Sequence, residues 1–237
     1  MQSTIVIQQF ERADVWIAAY DPSLHPAFAE LLSRPEWSHV TAVSVVVTNR
    51  SPRAIDGLVP RWIVRAADGR SESRMPIDRY IRDDGQPILY PGSQMLVTPT
   101  GYITDTQTAG NIVTSTLTSE RVVKTWRTPG TQIRLSLDSV IWDDGKVVGP
   151  DTFRIIEYLH SRHSVAREIA SQVQPHQGNR AAIEKVLTAI AHAAGKVRSP
   201  DDHRAVWTRR FVASARRNDQ FVFRVAVVPE PSLRRNK

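Results

Sequence analysis

Glu157, His160 and His163 carry the chemistry of metal ligands at helical spacing. Side chains three apart lie beside one another on a helix, so this set could present a carboxylate and two imidazoles along one flank. Carboxylate-bridged dimetal bundles use two Glu-x-x-His units plus further helical carboxylates. The helical part of the sequence holds one such unit, so the flank reads as a solvated polar face, and no metal or cofactor is expected. Asp143 and Asp144 suggest calcium, yet an oxygen cage needs six or more ligands. Asp144-Gly145 is read instead as a tight turn. Asn49-Arg50-Ser51 matches a glycosylation acceptor; in a chain that is not exported, an Asn side chain closing a turn is the simpler reading.

Arg209, Arg210, Arg216 and Arg217 form the candidate surface for a polyanion or a partner. At 100° per residue His203, Trp207, Phe211 and Ser214 share one helix face. Arg209 and Arg216 fall nearly opposite, and Arg210 and Arg217 flank the stripe. Such arginines could follow phosphates with strong salt dependence, or simply solvate a face and satisfy the negative end of the helix dipole. Trp16, Trp37, Trp62, Trp126 and Trp142 could line a carbohydrate site if exposed; the candidate exposed aromatic is Trp142, with packing under the following helix as the plainer reading. Strand alternation places it opposite Ile133, Leu135 and Leu137, whereas Trp62 falls inward. Phosphate-cradling, dinucleotide, nucleophile-elbow and zinc-protease motifs are all missing. A triad assembled from distant residues stays open, because geometry rather than order defines it.

The elements that position these residues follow from periodicity. With 237 residues and 41% hydrophobic content the chain can bury a real core. Having no cysteine, it can form neither a disulfide nor a thiolate site. No apolar run spans a bilayer, and the first residues lack a secretory pattern. The chain as written is therefore expected in the cytoplasm, or exported if the true amino terminus carries an unrecorded signal. The formal charge of +7 is uneven: residues 1-149 carry −1 and residues 150-237 carry +8. From about Ser38 to Val148, period-2 alternation recurs between turn signals, with strands predicted at 43-48, 58-67, 75-81, 94-98, 111-116, 121-127, 132-142 and 147-148. Thr4-Phe10 and Val15-Tyr20 read as strands, and Pro22-Ser33 as a short helix capped by Asp21.

After Gly149-Pro150 the period turns helical. A first helix is expected over about Thr152-Gln172 with Asp151 as its cap. A second, capped by Asn179, ends at Gly195, and a third runs from Ser199-Pro200 to about Arg217. Phe221-Val228 reads as a returning strand.

The run Val43 to Ser51, followed by Ile55, Trp62 and Asp68-Gly69, resembles the opening strands of immunoglobulin-like β-sandwiches, in which a strand-ending Asn precedes a strand with a buried Trp. The later run with Asp138, Val140, Asp144, Gly145, Gly149, Pro150 and Asp151 is similar to a hairpin-then-helix ending in bacterial immunoglobulin-like proteins of unknown function. The resemblance covers residues 38-165, without the inter-sheet cysteine pair of antibody domains.

The expected architecture is α+β: an N-terminal segment over 1-37 of strands and a short helix, an antiparallel immunoglobulin-like sandwich over 38-149, and a basic helical region with a terminal strand over 150-237. The leading functional expectation is a non-enzymatic protein-interaction module with an unknown protein partner. A weak nonspecific nucleic-acid binder using the C-terminal arginines is the alternative, and an enzyme with a dispersed site the second.

Overall fold

The computed structural model describes residues 4–33, 37, 40–67, 69–79, 86–104, 113–114, 126, 130–195, 199, 202–217 and 232–235. The predicted strand at 121-127, apart from Trp126, and the predicted tail strand at 221-228 lie outside them. The chain divides into two compact units: Met1–Arg79 with Gln86–Thr152 and Arg235–Lys237, and Tyr80–Gly85 with Phe153–Arg234.

The first unit is built of two sheets rich in antiparallel pairs that curl as a half-barrel. One sheet contains β1 (Thr4–Ile7), β4 (Ile55–Ala66), β5 (Gly69–Arg74), β6 (Ile77–Asp78), β10 (Gln132–Trp142), β11 (Lys146–Val148) and β12 (Arg234–Arg235). Its main path runs β12-β11-β10-β4-β5, with β1 parallel to β10 and β6 beside β4. The other sheet has the order β2-β3-β7-β8-β9, from β2 (Val15–Ala19), β3 (Val45–Asn49), β7 (Gln94–Thr98), β8 (Gly101–Thr104) and β9 (Val113–Thr114). Val, Ile and Trp at alternate positions fit a pleated, half-buried surface. The inward set Ile17, Val45, Val47, Met95, Leu58, Trp62, Val64, Ile133 and Leu135 makes one core with both sheets contributing. Trp62 is fully buried and donates its indole N–H to the Val43 carbonyl at 3.2 Å. At the open edge of β2, the Gln9 amide stands in for a neighbouring strand: its nitrogen donates to the Ile17 carbonyl and its oxygen accepts from the Ile17 amide. Helix α1 (Pro26–Leu32) buries Phe28 and Leu32.

Two register shifts interrupt the pairing of β4 with β10. Leu137 opposes Pro60 but Ser139 opposes Val59, which leaves Asp138 as an extra residue; Gly57 opposes Ile141 but Ile55 opposes Trp142, which leaves Asp56 extra. Each bulge reverses the alternation downstream. Trp142 therefore turns into the core, where it is 2% exposed, with Arg12 and Arg53 each 5.4 Å from its ring. The expectation of an exposed Trp142 assumed unbroken alternation from Ile133 and is corrected here.

The second unit contains α2 (Ile155–Val173), α3 (Arg180–Ala193) and α4 (His203–Arg217). Their apolar stripes meet through Leu159, Ala166, Ile169, Ile183, Leu187, Trp207 and Phe211. The Asn179 side chain accepts from the Ala182 amide at 3.1 Å and caps α3 as expected. Asp202, rather than Ser199, accepts from Ala205 at the start of α4. The expected cap of α2 is also corrected. Asp151 turns through φ 47° before the helix, its amide bonds the Asp138 carbonyl, and its carboxylate pairs with Arg235; α2 starts at Ile155 behind Arg154 at φ 59°. Among the described residues, no helix is long and apolar enough to cross a membrane.

Candidate functional site

The four arginines singled out by sequence are turned to intrachain contacts. Arg209 donates to the Gly195 carbonyl just beyond α3, and Arg216 pairs with Glu184 at 2.8 Å and donates to Thr188. Arg210 lies 5.3 Å from the Trp207 ring, where buried Arg162 approaches at 5.1 Å. Arg217 reaches Ser214 at 3.5 Å. Two of the four therefore tie α3 to α4 and a third packs on an aromatic ring, so no single face gathers them.

The remaining sequence candidates are also structural. Glu157 pairs with Arg154, and His163 is buried while Glu157 is exposed; no group of three His, Asp or Glu able to hold a metal occurs among the described residues. Asp143 and Asp144 converge on Arg53 at 2.6 and 2.7 Å, and Asp144 accepts from the Lys146 amide, so these acids close the β10–β11 hairpin. Asn49 is fully buried. Its Oδ1 accepts from the Ser51 amide and its Nδ2 donates to the Arg53 and Leu89 carbonyls, closing the turn as expected.

What sequence reasoning missed lies on the outward face of the larger sheet. Trp62, Val64, Ile133 and Leu135 point into the core, so the residues between them point out, and register aligns those into three rows. The first row is Thr4, Gln132, Arg65, Arg70. The second is Val6, Arg134, Ile63, Glu72. The third is Ser136, Arg61, Arg74. Neighbouring strands stand about 4.8 Å apart, and rows two residues apart repeat at about 6.8 Å. Five arginines thus share one rigid grid with a single carboxylate.

Glu72 is clamped. Arg61 donates Nε to one carboxylate oxygen at 2.8 Å and Nη2 to the other at 3.1 Å, Arg74 adds Nε at 2.5 Å, and Arg70 stands 3.8 Å away. Burial pushes this carboxyl upward, but hydrogen bonds from Arg61 and Arg74 outweigh it and hold Glu72 below its ordinary value. Arg65 and Arg134 are exposed and have no ion pair among the described residues. Arg65 also sits directly opposite Arg70, a like-charge pairing that weakens a sheet.

The third row opens into a cleft of about 290 Å³ lined by Gln8, Glu11, Arg61, Ser136, Asp138 and Pro150. The Asp138 carboxylate is buried at the side of this cleft, where it accepts from the Thr152 hydroxyl and lies 4.0 Å from an Arg61 nitrogen. In chemical terms the grid suits oxyanions, with forked donors on a fixed lattice and one protein carboxylate already seated, whereas the cleft sets Glu11 and Asp138 beside Arg61.

No protein-family model, curated protein or solved structure matches the chain. The class is therefore defined by fold and site alone: an α+β protein with antiparallel-rich sheets, presenting an arginine grid on one of them.

Proposed function

We propose that the chain is a non-enzymatic interaction module whose first unit is an immunoglobulin-like sandwich, with a partner docking on the outward face of the larger sheet. The fold reading is supported by strand order. β3 feeds directly into β4, which carries the buried Trp62 and pairs with β10, and β10 continues through a hairpin into β11. In immunoglobulin domains a buried Trp likewise sits on strand C, which follows strand B of the first sheet and belongs to the second.

The functional reading rests on one observation: five arginines and one glutamate share the outward face of one sheet, with Arg65, Arg70 and Arg134 exposed and Arg65 directly against Arg70. That repulsion is a standing cost of the isolated protein, and a counter-charged partner would remove it. The alternative of nucleic-acid binding through Arg209, Arg210, Arg216 and Arg217 has less support, because these side chains already serve α3, Trp207 and Ser214.

A photo-crosslinking residue at Ser136, compared with one at exposed Ser164, tests the reading in cells. A discrete adduct is expected from Ser136 alone, and it should disappear when Arg65→Glu and Arg134→Glu are added. Robust hydrolysis of a small-molecule ester or amide, abolished by Asp138→Asn, would replace the module with an enzyme using the cleft.

A further inference from the structure

We infer that the ligand of the arginine grid is an extended acidic segment of a partner protein, with carboxylates at alternate positions. This deepens the interaction reading and rests on it. The first argument is the seat of Glu72. Arg61 offers two parallel N–H groups to the two oxygens of one planar carboxylate and Arg74 adds a third, so the grid already holds the group it would recognise. Arg65 and Arg70 repeat the opposed pairing of Arg61 and Arg74 four residues along β4, on the other side of the row that holds Glu72, which Arg61 and Arg74 clamp at 2.5 to 3.1 Å while Arg70 stands 3.8 Å from it.

The second argument is spacing. An extended polypeptide presents same-side residues at about 6.8 Å, the pitch at which the rows repeat. A segment laid along the strands can therefore place one carboxylate at Arg65 and Arg70 and the next beside Arg134.

The third argument separates polypeptide from nucleic acid. The rows contain no aromatic side chain for a base to stack on, and single-stranded nucleic-acid sites depend on such platforms. Among the arginines lies Ile63, and at the end of its row, beside Arg134, the half-exposed Val6, apolar surface suited to the residues alternating with acids in a peptide.

The test uses the full chain and fluorescence anisotropy with three short labelled probes: a peptide alternating Glu and Thr, its Gln-Thr counterpart, and oligothymidine. The Glu-Thr peptide should bind saturably and the Gln-Thr peptide should not. Arg65→Gln with Arg134→Gln should weaken binding by at least about tenfold, the scale of one lost charge-assisted contact, while Arg216→Gln leaves it unchanged. Arg65→Gln alone should raise the thermal midpoint by relieving its repulsion with Arg70, which separates lost binding from lost folding. Oligothymidine binding as tightly as the peptide, or undiminished peptide binding by the double variant, overturns the assignment. Absent peptide binding with the Ser136 adduct retained overturns the acidic segment alone; loss of both overturns the interaction reading as well.

Discussion

Asp56 shows how one side chain can tune stability from inside a sheet. It is the extra residue of the second β4–β10 shift, its side chain is fully buried, and Arg79 Nε stands 2.9 Å from one carboxylate oxygen. Neither oxygen accepts a well-aligned hydrogen bond. Desolvation pushes the carboxyl up to about 6, against the attraction of Arg79. The folded state then holds a proton that the unfolded chain has already released between about pH 4 and 6. Stability is greatest at the acidic end of that window and falls as pH rises through it. Asp56→Asn keeps the shape and removes the buried charge. It is expected to be more stable than the native chain at pH 8, by at most about 3 kcal/mol. The advantage should shrink toward pH 4.5. Urea unfolding at the two pH values measures it, and a constant difference would assign the effect to packing rather than ionisation.

The bulge at Asp138 is the element that sets the site. It turns Trp142 inward, ends the outward row at Ser136 and opens the cleft beside Arg61. Gly149 locks it in place, with φ +114° and an added Cβ only 2.6 Å from the Asp138 carbonyl oxygen. Gly149→Ala should therefore cost at least about 2 kcal/mol, from the strained backbone together with the contact. The cost should appear as a lower denaturant midpoint and weaker peptide binding; an unchanged midpoint would mean the bulge holds without this contact. Such local devices divide what sequence could reveal from what it could not. Gln94–Thr98 and Gln132–Trp142 were legible to the residue because each is an apolar-rich run bounded by turn signals. The direction of Trp142 was not, since a bulge inserts one residue without changing composition. The Asp151 cap failed for a similar reason: the residue fits the rule, but its backbone is committed to Asp138. The grid draws on β4, β5 and β10. Its outward arginines on β4 and β10 were visible as the polar half of each alternation, while the rows that join them exist only once register is fixed.

At the scale of the whole chain, the position of charge in the sequence and its availability for binding separate. The formal +7 lies arithmetically after residue 149, which drew attention to the C-terminal arginines. In the second unit Arg154, Arg204 and Arg216 meet Glu157, Glu168 and Glu184, and Arg209 serves a helix-end carbonyl. In the first unit, which is nearly neutral by count, Asp143 and Asp144 are held at the β10–β11 hairpin and Asp56 and Asp138 in the bulges, while the outward rows keep five arginines against Glu72. If net charge governed anion binding, removing any exposed arginine would flatten the salt dependence equally, since screening acts on all surface charge. The structure predicts otherwise. In peptide titrations at rising salt, Arg65→Gln and Arg134→Gln should each make the dependence shallower, while Arg209→Gln and Arg216→Gln leave it unaltered. The latter pair should instead lower the thermal midpoint slightly, by less than about 1 kcal/mol in stability, because the Arg216–Glu184 bridge is exposed. Equal flattening by both pairs would return the anion site to the helices and strip the grid of its role.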